Sequence, residues 1–468
     1  MAAEKTYDLV VIGSGPGGYT AAVKASGLGM TVACVEKALR PGGVCLNVGC
    51  IPSKALLDSS EIYATTKKGL SAHGIRVTDL SLDLAAMMTR KDQVVEALTG
   101  QVRKLLESAR VTLLQGTARV MDAHRVEVVG SDGGTRVLDA KFILLATGST
   151  PVTVPGLEFD EDRIVSSTGA LNFSEVPKTL GIIGGGYIGL ELGSVWQRLG
   201  AKATVIEMLP QIATSLDGQI SRTLKRILEK QGMAFRLKTT VTHAEVFEGG
   251  VNLTLESNGR PEVMAFDRVL VAVGRKPLTM GLGLEDIGVK MDPKTGHVRV
   301  DVNYQTSIPS IYAVGDMIPG PMLAHKASAE GIAAVEAMAG FSSEVNYDTL
   351  PSVIYTWPEV AGVGLTEEQL KAREIPYIAG ARPFSGNGRA RCMGETEGLV
   401  KILSHARTDR ILGVHMVGPR ASEMIAEAVM AMEMGASSED LARTVHSHPT
   451  FSEALMDAAG AVQRQLKK

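Results

Sequence analysis

Cys45 and Cys50 lie in the run Gly-Gly-Val-Cys-Leu-Asn-Val-Gly-Cys-Ile-Pro-Ser-Lys, residues 42–54. Two thiols this close, at what reads as the mouth of a helix, can close a small disulfide ring. Beside an electron carrier, such a ring is a reagent and not a staple. Positions five apart on a regular helix are rotated past each other, so the ring requires a distorted first turn, which Gly49 and Pro52 permit. The only other cysteines are Cys34 and Cys392, which excludes a disulfide-scaffolded secreted protein. Metal is the weaker reading, because no second Cys or His pair stands nearby at ligand spacing, and no metal site is expected. A helix N-terminus and Lys54 would both favour a thiolate here. The bland alternative is a pair of buried, unreactive cysteines.

A second reactive set lies near the C-terminus, in His446-Ser-His-Pro-Thr-Phe-Ser-Glu453. Thiol attack on a disulfide needs a thiolate, and a His tuned upward by a carboxylate is a suitable general base. His446 and His448 are rival bases, and Glu453 is the obvious carboxylate. Thr450-x-x-Glu453 also reads as a capping box opening a helix over 452–466. The residues alone leave both roles of Glu453 open.

The elements that must position these groups are announced by glycines. An apolar strand over 7–12 enters Gly13, Gly15 and Gly18; a helix (19–28) and a strand (31–35) follow, closed by Glu36. The first Gly makes the tight turn, the second lets backbone approach a pyrophosphate, and the third lets helix and strand pack. The helix N-terminus supplies N–H groups to the phosphates, and Glu36 would accept from a ribose. The unit then recurs as Gly184, Gly186, Gly189, a helix through 199, a strand over 203–206 and Glu207. From first Gly to acid is 23 residues in each copy, 13 to 36 and 184 to 207. Two Gly-rich turns of an ordinary α/β protein would not match so closely. Two dinucleotide sites imply two dinucleotides, most economically FAD and a nicotinamide. A carboxylate at 207 pairs with a 2′-hydroxyl and repels a 2′-phosphate, and Met208-Leu209-Pro210 offers no Arg to rescue one, so NAD is expected over NADP.

The 468 residues are too many for one core and suggest roughly three or four domains. A net charge of −3 argues against nucleic acid as the main partner, and no run of apolar residues is long enough to span a membrane. With the first strand so near the N-terminus, no signal peptide and a reducing compartment are expected. Pro151 and Pro155-Gly156 mark a linker after the strand that ends at 142–149. A second unit runs to the apolar strand closed by Gly274-Arg-Lys-Pro277. A third stretch, 278–346, holds Ile311-Tyr-Ala-Val-Gly-Asp316, and 347–468 alternates strands with helices, including a Met-rich helix over 422–434 suited to an interface or core.

Taken together, the cysteine run, both Gly motifs, Ala146-Thr-Gly148, Gly315-Asp316, Met322-Leu-Ala-His325 and the His446–Glu453 run resemble, end to end, the two-cysteine flavoprotein disulfide reductases. These are class I pyridine nucleotide-disulfide oxidoreductases, and the closest resemblance is to their dihydrolipoamide dehydrogenase branch. The resemblance implies an α/β fold with two Rossmann-like dinucleotide-binding domains, the NAD domain inserted in the FAD domain, plus an α+β C-terminal dimerisation domain. Its order implies an FAD-binding domain (1–150), an NAD-binding domain (151–277), a central domain completing the FAD site (278–346) and an interface domain (347–468).

Carried over residue by residue, it implies that Gly13, Gly15, Gly18 and Glu36 hold the FAD adenosine and pyrophosphate. Gly116, Thr147, Gly148 and Ser149 would also line FAD, Asp316 would bind the ribityl chain, and Met322, Leu323, Ala324 and His325 would border the flavin ring. Lys54 would lie by that ring and pair with Glu191. Gly184, Gly186, Gly189, Glu191, Glu207, Val241 and Gly274 would line NAD. Cys45 would exchange with a dithiol substrate and Cys50 would contact the flavin. His448, oriented by Glu453, would be the base, with His446 structural. Two positions depart from the family pattern: Val44 stands where Thr is usual, and Trp357 where His is common.

The expected activity is oxidation of protein-bound dihydrolipoyl groups through Cys45–Cys50 and FAD, with hydride passed to NAD. The partners would be the lipoyl domains and acyltransferase core of 2-oxo acid dehydrogenase complexes, or the glycine cleavage carrier protein. A homodimer with an active site shared between subunits is expected, in the cytoplasm or, with a presequence removed, the mitochondrial matrix. The alternatives are a glutathione-, trypanothione- or mercuric-reductase-like enzyme and a non-catalytic flavoprotein docking subunit.

Overall fold

A computed structural model describes residues 6–467. It divides into two compact units, the first built from residues 1–55, 85–152 and 274–345, the second from 56–84, 153–273 and 346–468.

The first unit is organised on a seven-stranded sheet. Strand Thr6–Ile12 lies between Val32–Glu36 and Thr135–Leu145, parallel to both. Its residues Leu9 to Ile12 are buried, as an uninterrupted apolar run in a doubly covered parallel strand should be. The long strand Thr135–Leu145 does two jobs. Its first half pairs antiparallel with Arg125–Val129, and its second half takes the short strand Ile311–Ala313 in parallel. That last pairing brings a segment far along the chain into the first sheet and delivers Asp316 just beyond its end. The helix Leu84–Ser108 buries Lys91, Val95, Thr99, Val102 and Leu106, one stripe at helical spacing.

The second unit holds three sheets. Five parallel strands, ordered Ala234–Leu237, Lys202–Glu207, Thr179–Ile183, Arg268–Val271 and Ile164–Val165, repeat the nucleotide-binding plan. A three-stranded antiparallel sheet spans Thr239–Phe247, Gly250–Ser257 and Arg260–Phe266. The C-terminal sheet is wholly antiparallel, in the order Ser352–Ile354, Glu359–Gly364, Ile411–Gly418, Leu399–His405, Tyr377–Pro383. Helices Ala421–Glu433 and Glu453–Leu466 share one apolar core with it. On the Met-rich helix, Met424 and Met432 face that core while Met430 and the following Met434 are exposed. Among the described residues no helix is long and apolar enough to cross a membrane.

Candidate functional site

In the first nucleotide motif, Gly13 has φ +101°, and its amide donates to Val35 O at 2.8 Å. A Cβ on Gly18 would collide with the carbonyl of Gly13, so helix Pro16–Gly27 can approach the strand only because residue 18 is glycine. Glu36 accepts from Ser14 N (2.9 Å), Ser14 Oγ (2.6 Å) and Ala38 N (2.8 Å). The second copy matches it. Gly184 has φ +105° and donates to Ile206 O at 2.9 Å. A Cβ on Gly189 would strike Gly184 O, and Glu207 accepts from Gly185 N (2.7 Å) and Leu209 N (2.8 Å). A carboxylate offers about four lone-pair positions, so Glu207 keeps roughly two beyond these bonds.

The cysteine run is welded to the first motif. Gly42 and Gly43 both have positive φ (+108° and +62°), and a Cβ on Gly43 would stand 2.6 Å from the Cα of Gly15. Phosphate turn and cysteine segment therefore touch backbone to backbone. Cys45 lies in the short helix Gly43–Val48; the chain breaks at Gly49 (φ −141°, ψ −113°) and restarts with Cys50 at the head of Cys50–Lys68. This is the distortion the spacing demanded. Cys45 and Cys50 stand in hydrogen-bonding contact with each other. That bond, then burial, pushes the Cys45 thiol well above its ordinary range, with the Lys54 charge opposing.

Of the remaining residues expected around FAD, Ser149 and Asp316 are joined directly, and Arg275 extends their hydrogen-bonded chain. Ser149 Oγ donates to Asp316 Oδ2 at 2.5 Å and accepts from Arg275 Nε at 2.7 Å, while Arg275 also donates to Ser149 O at 2.6 Å. Burial draws the Arg275 guanidinium down from its ordinary value, with Asp316 and Cys50 opposing. Thr147 Oγ1 donates to Leu278 O at 2.7 Å, and Gly116 N to Glu36 O at 2.9 Å. Asp316 sits in the turn Gly315–Met317, whose Gly315 is held by Lys326 and Glu330 of helix Ala324–Met338. Met322 and Leu323 lead into that helix, and Ala324 and His325 open it.

Arg275, Lys326, Glu330 and Gly43 were missed by sequence reasoning. The first had a signal, a cation inside Gly274-Arg-Lys-Pro277; the buried pair had none.

In the second unit, Glu191 lies buried on helix Tyr187–Leu199 and accepts from Tyr355 N at 3.0 Å. Val241 marks the irregularity in strand Thr239–Phe247, and Gly274, in the first unit, has φ +131°. His448 Nδ1 meets Glu453 Oε1 at 2.8 Å, and its side chain is 78% exposed. Glu453 Oε2 accepts from Thr450 N at 2.8 Å; that bond, then the one to His448, lowers the carboxyl from its ordinary value. The expected capping box is only half formed. Thr450 Oγ1 turns to Ser447 O instead, and the helix begins at Glu453, one residue later than expected. Glu453 divides its oxygens between the two partners, His448 and the Thr450 amide. His446 differs from His448: both its nitrogens are engaged, with Glu427 (2.6 Å) and Thr444 O (2.8 Å), and its side chain is 6% exposed. Among the described residues no group of three or more His, Cys, Asp or Glu is arranged to hold a metal.

Residues 7–331 match the pyridine nucleotide-disulphide oxidoreductase family, and residues 350–459 match its dimerisation domain. The chain belongs to that family. It is a flavoprotein disulfide oxidoreductase using FAD and NAD, with Cys45–Cys50 as its redox pair and a homodimerisation domain at its C-terminal end. It is 52% identical to dihydrolipoyl dehydrogenase 3 of Pseudomonas aeruginosa, over 97% of each chain. It is 50% identical to the mitochondrial dihydrolipoyl dehydrogenase 1 of Arabidopsis thaliana, over 97% of this chain and 90% of that one. Among solved structures, LpdA of Mycobacterium tuberculosis superposes with a TM-score of 0.89 at 25% identity, covering 97% of this chain and 99% of that one. The HOCl-induced flavoprotein disulfide reductase RclA of Escherichia coli gives 0.85 at 28% identity, over 97% and 100%.

Proposed function

We propose that the chain is an NAD-dependent dihydrolipoyl dehydrogenase, oxidising protein-bound dihydrolipoyl groups and reducing NAD. The observation that carries this reading is that one chain holds both a carboxylate of the nicotinamide type, Glu207, and a thiol pair whose segment packs on the first nucleotide turn. In this reading Cys45 exchanges with the incoming dithiol. His448, held at Nδ1 by Glu453, takes the thiol proton at Nε2 so that a thiolate attacks. Cys50, with Lys54 and Arg275 nearby, is the inner sulfur. FAD, when bound, supplies the two-electron relay from the thiols to NAD. Ser149, Asp316 and Met322 to His325 orient it, and Gly13 to Gly18 with Glu36 hold its adenine end. Overall, a dithiol becomes a disulfide while NAD gains a hydride and one proton is released.

The division at residues 150, 277 and 346 into FAD, NAD, central and interface domains belongs to the same proposal, as does an active site completed by His448 of the partner subunit. The dimerisation-domain match and the exposed His448 support that shared site. The partners are lipoyl domains of 2-oxo acid dehydrogenase complexes or a glycine cleavage carrier, in the cytoplasm or mitochondrial matrix; the named relatives include bacterial and mitochondrial proteins. An NADPH-driven reductase is disfavoured by Glu207, which would face a 2′-phosphate. The test is to mix the purified protein with dihydrolipoamide and NAD and follow NADH absorbance. NADH is expected; its absence beside brisk NADPH-driven disulfide reduction overturns the reading.

A further inference from the structure

Lys401 stands on strand Leu399–His405 of the C-terminal sheet, 2% exposed, and its ammonium meets Asp217 Oδ2 at 2.9 Å, Oδ1 at 3.1 Å and Glu367 Oε2 at 2.5 Å. Asp217 is fully buried and is the N-cap of helix Gly218–Lys230, accepting from Gln219 N at 3.0 Å; it also accepts from Glu367 N at 3.2 Å. Glu368 accepts from Gly218 N at 3.2 Å. The start of this helix is thus held by charged groups of the C-terminal part of the chain.

Residues 208–217 connect that helix start to Glu207, and they lie on the second phosphate turn. Ala213 N donates to Gly185 O at 2.8 Å, and Ser215 Oγ meets Tyr187 OH at 3.0 Å. Ile212 O takes the Ser221 hydroxyl at 2.7 Å, and its Cγ2 would lie 3.1 Å from a Cβ on Gly185. One end of the segment is therefore fixed by Glu207 and the other by Asp217. Loss of the Lys401 charge would leave a buried carboxylate without its cation, and the segment would shift or hydrate where it meets Gly185.

We propose that Lys401 is a positioning residue for NAD: acting through Asp217, it seats residues 208–216 against the Gly184–Gly186 turn, so that the C-terminal sheet sets the affinity of the nicotinamide dinucleotide site. The proposal rests on the NAD site of the function above.

Equilibrium titration of the purified, FAD-loaded protein with NAD tests it. Lys401→Met is expected to weaken NAD about tenfold, equivalent to ~1.4 kcal/mol. Bound FAD per chain and anaerobic flavin reduction by dihydrolipoamide should stay at the wild-type level. Because both groups act through one contact, Asp217→Asn combined with Lys401→Met should bind NAD no more weakly than Lys401→Met alone. An unchanged NAD dissociation constant overturns the proposal, and so does a parallel loss of flavin reduction, the mark of general damage. Should Lys401→Met fail to fold, Glu367→Gln at the open edge of the cluster replaces it: a severalfold weakening supports the proposal and an unchanged constant overturns it. Wild-type protein that binds no NAD brings down the underlying reading as well, which separates the two failures.

Discussion

Lys326 and Glu330, one turn apart on helix Ala324–Met338, form an ion pair at 2.9 Å in which neither side chain has any exposure. Both turn onto Gly315: Glu330 Oε2 accepts its N–H at 2.8 Å, and Lys326 Nζ donates to its carbonyl at 3.1 Å. The turn that carries Asp316 is thus clamped at both backbone polar groups of Gly315. Lys326→Met should cost about 3–5 kcal/mol, because it leaves a buried carboxylate without its cation. FAD retention should fall with it. Thermal melts and flavin absorbance per chain check both, and Lys326→Met with Glu330→Leu should recover much of the stability but not the FAD.

His448→Gln should lower dithiol oxidation by at least about 100-fold, the range for loss of a positioned general base, with flavin content unchanged. Steady-state rates with dihydrolipoamide measure it. His446→Asn should disturb stability more than the chemical step, since both ring nitrogens of His446 are already engaged. Equal collapse of the two variants would reverse the assignment.

The glycine repeat allows the two nucleotide sites to be broken separately. Gly189→Ala should abolish NAD binding while the protein stays yellow, because the added methyl meets Gly184 O in the second motif only. Gly18→Ala should release FAD by the same collision with Gly13 O. Flavin spectra and NAD titration distinguish them, and loss of both ligands in the first variant would contradict the prediction.

Glu367 supplies an acid-range test. The Lys371 hydrogen bond first, then the one from Lys401, hold its carboxyl at about 2 against an ordinary 4.5, with burial opposing. Its folded value is depressed, so its stabilisation is complete above pH 4.5 and is lost as pH falls from there towards 2. The denaturation midpoint of the wild type should exceed that of Glu367→Gln near neutrality, and the gap should close across that acid window. A gap that stays constant down to pH 2 would remove Glu367 from the cluster.

Much of this architecture was legible because periodic and glycine signals are local. Gly13 to Glu36 and Gly184 to Glu207 carry strand, turn, helix and acid within one short window, and the structure builds both copies alike. The break between Cys45 and Cys50 followed from helix geometry alone. Less legible were features that depend on distant chain segments. Ile311–Ala313 is only three residues long, and its place beside Thr135–Leu145 follows from long-range pairing. Lys326 and Glu330 have the spacing of an ordinary solvent-exposed helix pair, and only tertiary burial turns them into a clamp. Lys401 and Asp217 are separated by most of two sheets of sequence, with no motif to join them. Glu453 was ambiguous for a better reason: a carboxylate has two oxygens, and here one meets His448 and the other the Thr450 amide.

Glu36 and Glu207 are each tied down by backbone amides. In the proposed sites neither carboxylate would have much rotameric freedom to surrender when a sugar binds, so part of the entropic penalty of recognition would be met during folding. Discrimination between a bare ribose and a phosphorylated one is correspondingly stiff: the chain has no easy way to swing the charge aside. Redirecting this protein to the phosphorylated coenzyme would require rebuilding the strand end, and adding a cation nearby would not be enough.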